Sequence, residues 1–312
     1  MSMKRTVSSS VYDEPSSYTW LKTFTVSSMR PTTHRAVASI FFNFFFRQYR
    51  AALLPGRVPV SKVDHPLDLK IPFVPAWVTI YLDFINFWIR MLSFLMRSFG
   101  HRAYDAVQEF VRSIGELYAF AAQPYQRNFS TTARPFYIAR PRFFLIHLLD
   151  PHLMCIPSLH VMVVIRTWTK FAAILRSLNE AERCAAQIEE MKQGALAITQ
   201  AILFVKQHSV NCIPAALYAM TCFDKELFPP DEAEAFTALL FGEPPAPVQS
   251  GHPLVNSGVR PSSAPRTKLP AADVAEIKNH IISLYRKFLA EKERSQTWEE
   301  PLLNFMRTQP RL

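Results

Sequence analysis

Glycine is scarce, at seven residues in 312 against 24 prolines. Loops that cradle nucleotide phosphates need glycines at fixed spacing so that the backbone can approach the anion, and no Walker or dinucleotide fingerprint occurs. The four cysteines, Cys155, Cys184, Cys212 and Cys222, form no C-x-x-C pair, and the nine histidines lack zinc-module spacing. Neither a structural metal, a disulfide framework nor a cofactor is therefore expected. The first 35 residues hold Lys4, Arg5, Lys22, Arg30 and Arg35 without the apolar core of a secretory signal, so a cleaved leader is not expected.

Apolar and basic residues are abundant instead: 49% of the chain is hydrophobic, with 25 phenylalanines and a net charge of +10. Clustered cations suit nucleic acid, anionic lipid or an anionic substrate. Their position beside apolar runs favours lipid, and no nucleic-acid partner is expected. The mean hydropathy of +0.03 averages an aromatic-rich region before about residue 225 and a polar, Pro-rich one after it.

Ile71 to Ile89 is nineteen residues with a single charge, Asp83, and apolar character resumes after Arg90 as far as Phe99. This run predicts a membrane span. Ala36 to Leu54, with Phe41, Phe42, Phe44, Phe45 and Phe46 before Arg47 and Arg50, is a weaker candidate whose arginines would have to snorkel or pair. Tyr104 to Ala122 is amphipathic, Cys155 to Leu175 is apolar except for Arg166 and Lys170, and Ala195 to Cys222 fits two short helices or one kinked at Pro214. Charged residues inside such runs are expensive against lipid, so Asp83, Arg90, Arg166 and Lys170 are expected to pair, snorkel or line a polar cavity. The expected fold is all-α, a polytopic membrane bundle of about five to six spans with a C-terminal polar tail.

The expected divisions are a polar, basic N-terminal segment at 1–35, a membrane helical domain at 36–225, a Pro/Ser-rich linker at 226–270, and a C-terminal helix and tail at 271–312. Asn179 to Lys192 reads as a solvated helical connector. Ala271 to Arg294 carries Val274, Ile277, Ile281, Ile282, Tyr285 and Leu289 at helical spacing and would dock on the tail, a partner or a membrane. Arg97, Arg102, Arg176, Arg183 and Lys192 fall in connectors on the same side as the termini. The positive-inside rule makes that side cytoplasmic and puts the opposite ends of the helices on the far face.

Two histidines among apolar residues form the chief chemical constellation. His160 follows Pro157-Ser158-Leu159, and His208 follows Lys206; upstream stand Arg127, Arg134, Arg140 and Arg142 in one loop. Guanidinium suits phosphate because its planar fork bonds two oxygens at once. The plain alternatives are a hydrogen-bonded core histidine for His160, an interfacial one for His208, and a solvated or lipid-facing loop for the arginines. Asp150 before Pro151 has a sufficient local explanation as a turn former.

CIPSLHV at 155–161 resembles the second motif of the type 2 phosphatidic acid phosphatase superfamily, in the form used by its inositol phosphorylceramide synthase-like branch, with Leu159 for the usual glycine and Asp150 upstream. Arg127 with Arg134-Pro135 is similar to its first motif, Arg replacing Lys, and FVKQHSVNC at 204–212 to its third. The likeness covers about residues 70 to 222. It implies a membrane phosphatase or phosphotransferase acting on a lipid-linked phosphate. His208 would form a phosphohistidine, His160 would protonate the leaving oxygen, and Arg127, Arg134 and Ser158 would hold the phosphate. Asp150, Lys206 and Asn211 would support the site.

The third motif departs at Ala201 and Ile202, where Ser and Arg occur, and at Cys212, where an Asp orients the nucleophilic ring. Loss of an Asp partner can cost about 10⁴ in rate. The competing expectation is therefore a non-catalytic membrane protein of the same fold that binds anionic lipid or scaffolds a partner.

Overall fold

A computed structural model describes residues 10–54, 56–242, 265 and 267–312. The architecture is all-α apart from one parallel pair of three-residue strands, β1 (Val60–Lys62) and β2 (Phe129–Thr131), with Val60 opposite Phe129. The long helices are α5 (Phe84–Phe99), α6 (Tyr104–Tyr125), α8 (Leu159–Ser177), α9 (Ala185–Phe204) and α12 (Ala271–Lys292). α8 lies against α5, α6, α9 and α10 (Cys212–Phe223) at the centre of the bundle.

Periodicity explains the burial. Along α6 the residues Val107, Phe110, Val111, Ile114, Leu117, Tyr118 and Ala121 recur every three or four positions and all face the core. α12 buries Ile277, Ile281, Leu284, Tyr285 and Phe288 against α10 and α11 (Pro230–Leu239), so its apolar face is covered by its own chain. At Gly194 in α9 a side chain would overlap the Tyr12 hydroxyl and the Phe87 ring, and only glycine admits that close approach.

One hydrophobic core runs from Val11 to Met306 across all the expected divisions. The N-terminal segment is part of it: α1 (Ser16–Thr25) packs on α5, Thr19 Oγ1 donates to Ile89 O at 2.8 Å, and the Val11 N–H donates to Glu190 Oε2 at 2.8 Å. The start of the expected linker is helical as α11, because Pro230 begins it and Asp231 and Glu232 suit its first turn. The rest of that linker, at 243–264, lies outside the described residues.

Among the described residues one helical run, Pro75–Tyr125, is long and apolar enough to cross a membrane, and 67% of its apolar window is buried inside protein. The other expected spans fall short for physical reasons. α10 has 12 residues, α9 opens with Glu189, Glu190 and Lys192 in its first half, and α8 carries Arg166, Lys170 and Arg176. The charges inside these helices are paired: Arg90 with Asp83, Arg166 with Asp224, and Lys170 with Glu109. α2 (Arg30–Ile40), a π-helical turn at Phe41–Phe46 and α3 (Arg47–Leu53) form a rod whose Phe41, Phe42, Phe45, Phe46, Tyr49, Leu53 and Leu54 are exposed.

Candidate functional site

His160 and His208 meet in the interior with ring centroids 5.4 Å apart and planes at 69°. His160 stands on the first turn of α8, where its ring stacks on Tyr81 at 4.5 Å and tilts against Phe84 at 4.3 Å. The helix starts at Leu159 with Ser158 as its N-cap, so Pro157 precedes the first turn that its residue type suits. The Ser158 hydroxyl is buried and makes no hydrogen bond among the described residues.

His208 lies in the tight turn between α9 and α10. Lys206 adopts a left-handed backbone with φ 54°, and the amides of Gln207 and His208 both donate to Ile202 O, at 3.0 and 3.1 Å. This closes α9 in the manner of a C-terminal left-handed cap and aims the next residue back at the bundle. Asp68 fixes the turn from outside, accepting from the Val210 N–H at 2.8 Å through Oδ1 and from Lys206 Nζ through its carbonyl.

Arg134 ties the segments together. Its Nη1 donates to Gln207 Oε1 at 3.2 Å and its Nη2 to Asp150 O at 3.1 Å. One guanidinium thus joins the loop after β2, the segment before α8 and the turn that holds His208.

A third histidine belongs to the cluster. His152 lies 6.1 Å from His208, ring to ring, and its Nε2 is 2.9 Å from Thr132 Oγ1 and 3.7 Å from Cys155 Sγ. Asp150 grips it from behind, accepting the His152 N–H at 2.9 Å through Oδ1, with Oδ2 3.8 Å from Nδ1. Burial opposes a charged ring, but the Cys155 sulfur and the Asp150 carboxylate outweigh it, so His152 holds its proton above the ordinary imidazole range. Burial raises the Asp150 carboxyl as well. Its bonds to His152 and the charge of Arg134 overcome this and hold it at about 2. The sequence signal for His152 was available: it stands two residues after Asp150 and eight before His160.

Several expected site residues lie elsewhere. Arg127 is over half exposed and pairs with Glu299 at 3.6 Å, because the loop leaving α6 turns toward the C-terminal segment. Lys206 is spent on Asp68. Asn211 donates to Val63 O at 3.1 Å and meets His280 Nε2 at 2.8 Å, which leaves it no bond to His208. Arg140 is exposed at the N-cap of α7 (Pro141–Leu149), and Arg142 bonds Thr79.

Nδ1 of His208 is buried without a hydrogen-bond partner. Cys212 is fully buried. Among the described residues no carboxylate bonds His208 in place of the one that Cys212 lacks. Among the described residues no grouping of His, Cys, Asp and Glu could hold a metal ion.

No family model, curated protein or solved structure matches this chain. The site's chemistry is therefore read from its geometry. Phe44, Gln48, Asp150, His152, Cys155 and the two facing histidines enclose a cavity of about 10 Å³, room for one water. Three imidazoles converge there, His152, His160 and His208, and the Arg134 guanidinium braces the surrounding segments through Gln207 and the Asp150 carbonyl, a set that suits an oxyanion.

Proposed function

We propose that the chain is a membrane protein that handles lipid-linked phosphate, with His208 as nucleophile to phosphorus and His160 as general acid to the departing oxygen. The observation that carries this reading is the facing of His160 and His208 across one small pocket, with Arg134 bonded to Gln207 and to the Asp150 carbonyl beside it. The phosphoryl group would pass from the lipid oxygen to His208 Nε2 or Nδ1 and then to water or a hydroxyl acceptor. His152 takes the phosphate-binding role first expected of Arg127, since a charged imidazole there neutralises equatorial oxygens. Space for one water requires the Phe44 and Gln48 side of the pocket to open before a phosphate enters.

Membrane association is supported by the Pro75–Tyr125 run and by the exposed aromatic rod at 41–54. We place the chain as a multi-pass protein with cytoplasmic termini and the site toward the opposite face. Carbonate extraction tests the membrane assignment: release without detergent would sink it.

A second reading, a site of this fold that binds without turning over, is favoured by the unpartnered Nδ1 of His208 and by Cys212. Incubation of the purified chain with phosphatidic acid labelled in its phosphate separates the two. Acid-labile, base-stable label at His208, absent in His208→Ala, supports transfer. A wild type that takes up no label and releases no phosphate establishes the binding reading.

A further inference from the structure

A second, larger cavity of about 900 Å³ adjoins the histidine pocket. The strip from Asp150 to Met154 is the wall between them. Asp150, His152 and Met154 face the histidine pocket, whereas Pro151 and Leu153 face the larger cavity, with His152 in a left-handed conformation at φ 59°. The helical rod divides similarly: Phe44 and Gln48 line the small pocket, while Phe42, Phe46, Arg47 and Arg50 line the large one. Gln48 Oε1 accepts the Leu153 N–H at 3.1 Å and joins rod to strip.

Four arginines, Arg47, Arg50, Arg57 and Arg311, line this cavity, and no Asp or Glu side chain does. None of the four makes a side-chain hydrogen bond or ion pair among the described residues, and the Nε of Arg47 is buried without a partner. Such an uncompensated concentration of like charge favours an anion supplied from outside. Apart from Gln126 and Tyr125 the remaining lining is mainly apolar, with Phe42, Phe46, Leu54 and Val58, and it continues into the exposed Phe41, Phe45 and Leu53 of the rod. No histidine, cysteine or carboxylate side chain lines the cavity, and the Tyr125 hydroxyl is committed to Pro157 O, so the cavity has groups to bind an anion and none to cleave its ester.

We propose that this cavity is a binding site for an anionic diacyl phospholipid that is not turned over. Its headgroup phosphate lies among Arg47, Arg50, Arg57 and Arg311, and its acyl chains run over Phe42, Phe46 and Leu54 onto the exposed rod. The volume lies within the range of pockets that enclose a drug-sized ligand, enough for a headgroup and the first part of its chains. The site is separate from the histidine pocket and stands whether or not His208 turns over.

Native mass spectrometry of the full chain in detergent, titrated with phosphatidylglycerol, phosphatidylcholine or inorganic phosphate, tests it. Phosphatidylglycerol should bind about tenfold or more tightly than phosphatidylcholine, and inorganic phosphate far more weakly. Arg50→Gln with Arg57→Gln should weaken phosphatidylglycerol by about tenfold or more and leave phosphatidylcholine unchanged. His208→Ala should bind phosphatidylglycerol as the wild type does. Equal affinity of the wild type for the two lipids overturns the proposal without any variant. Unchanged binding in the folded arginine double variant overturns it also, as does loss of binding in His208→Ala with the melting temperature retained. Inorganic phosphate binding as tightly as the lipid would make this a free-anion site.

Discussion

The strip from Asp150 to Met154 has two unlike sides. On the inner side each cation has an acceptor built for it: His152 has Asp150, and Arg134 has Gln207 Oε1 and Asp150 O. On the outer side four guanidiniums have none, and the space is about 900 Å³ against about 10 Å³ within. Fixed, compensated charge in a tight pocket costs little reorganisation when a reacting group develops charge, which is what phosphoryl transfer requires. Uncompensated charge in an open apolar cavity gains most when an anion arrives. The difference separates a place suited to chemistry from a place suited to retention.

The largest effect should come from the inner side. His208→Ala should lower phosphate release from phosphatidic acid by about 10⁴ or more, because no other group replaces a nucleophile. The reciprocal change is more informative. Cys212→Asp supplies the carboxylate that His208 lacks and should raise the rate by about 10² to 10⁴, at some cost in melting temperature for burying an acid. A Cys212→Asp chain that folds and is no faster than wild type would show that His208 is not waiting for such a partner, and the inner side would lose its claim to chemistry.

Core arginines extend the contrast with the outer side. Arg90 is buried with Asp83 and lies 4.9 Å from the Tyr12 ring centroid, so its charge is compensated by a carboxylate and by a ring face. Arg90→Ala strands a buried carboxylate and should cost about 3–5 kcal/mol in unfolding measurements. A loss under about 1 kcal/mol would mean that the pair is solvated, and compensation would cease to distinguish core from cavity.

Asp150 gives a smaller, pH-dependent effect. Its carboxyl is held at about 2 in the folded chain against an ordinary 3.8. A depressed carboxyl stabilises the fold at pH above the ordinary value, and that stability is lost as pH falls through about 2. Asp150→Asn should therefore destabilise by about 2 kcal/mol at neutral pH, and the difference from wild type should close between about pH 4 and pH 2. A gap that persists below that window would mean that the side chain acts through packing and not through charge.

Local pattern made the helices and the two-histidine site legible. The amphipathic spacing of Tyr104–Ala122 and Ala271–Arg294 predicted α6 and α12, and CIPSLHV together with FVKQHSVNC pointed to His160 and His208, which the fold brings together. What the sequence did not carry was the destination of each polar side chain. Arg127 is as basic as Arg134, yet the turn after α6 sends it to Glu299, 172 positions away in the chain. Asn211 is next to Cys212, yet it faces His280. Hydropathy left the spans open for a related reason: an apolar helix buried among helices has the same composition as one facing lipid, and α8 and α10, read as spans, lie at the centre of the bundle.

The smallest effect is the one that tests the outer side most directly. Arg57→Gln removes an exposed guanidinium that bonds nothing, so the melting temperature in detergent should shift by the equivalent of no more than about 0.5 kcal/mol, and upward if like-charge repulsion is relieved. The same substitution should reduce the stabilisation gained on adding phosphatidylglycerol, since a ligand that binds only the folded chain raises its stability in proportion to the logarithm of its saturation. The two readouts together have a definite logic. A residue kept for folding would lower the melting temperature in both conditions, whereas a residue kept for an external anion lowers it only when the lipid is present. Should Arg57→Gln melt early without lipid, the arginines of the outer side would be structural like Arg90, and the two sides of the strip would differ in size alone.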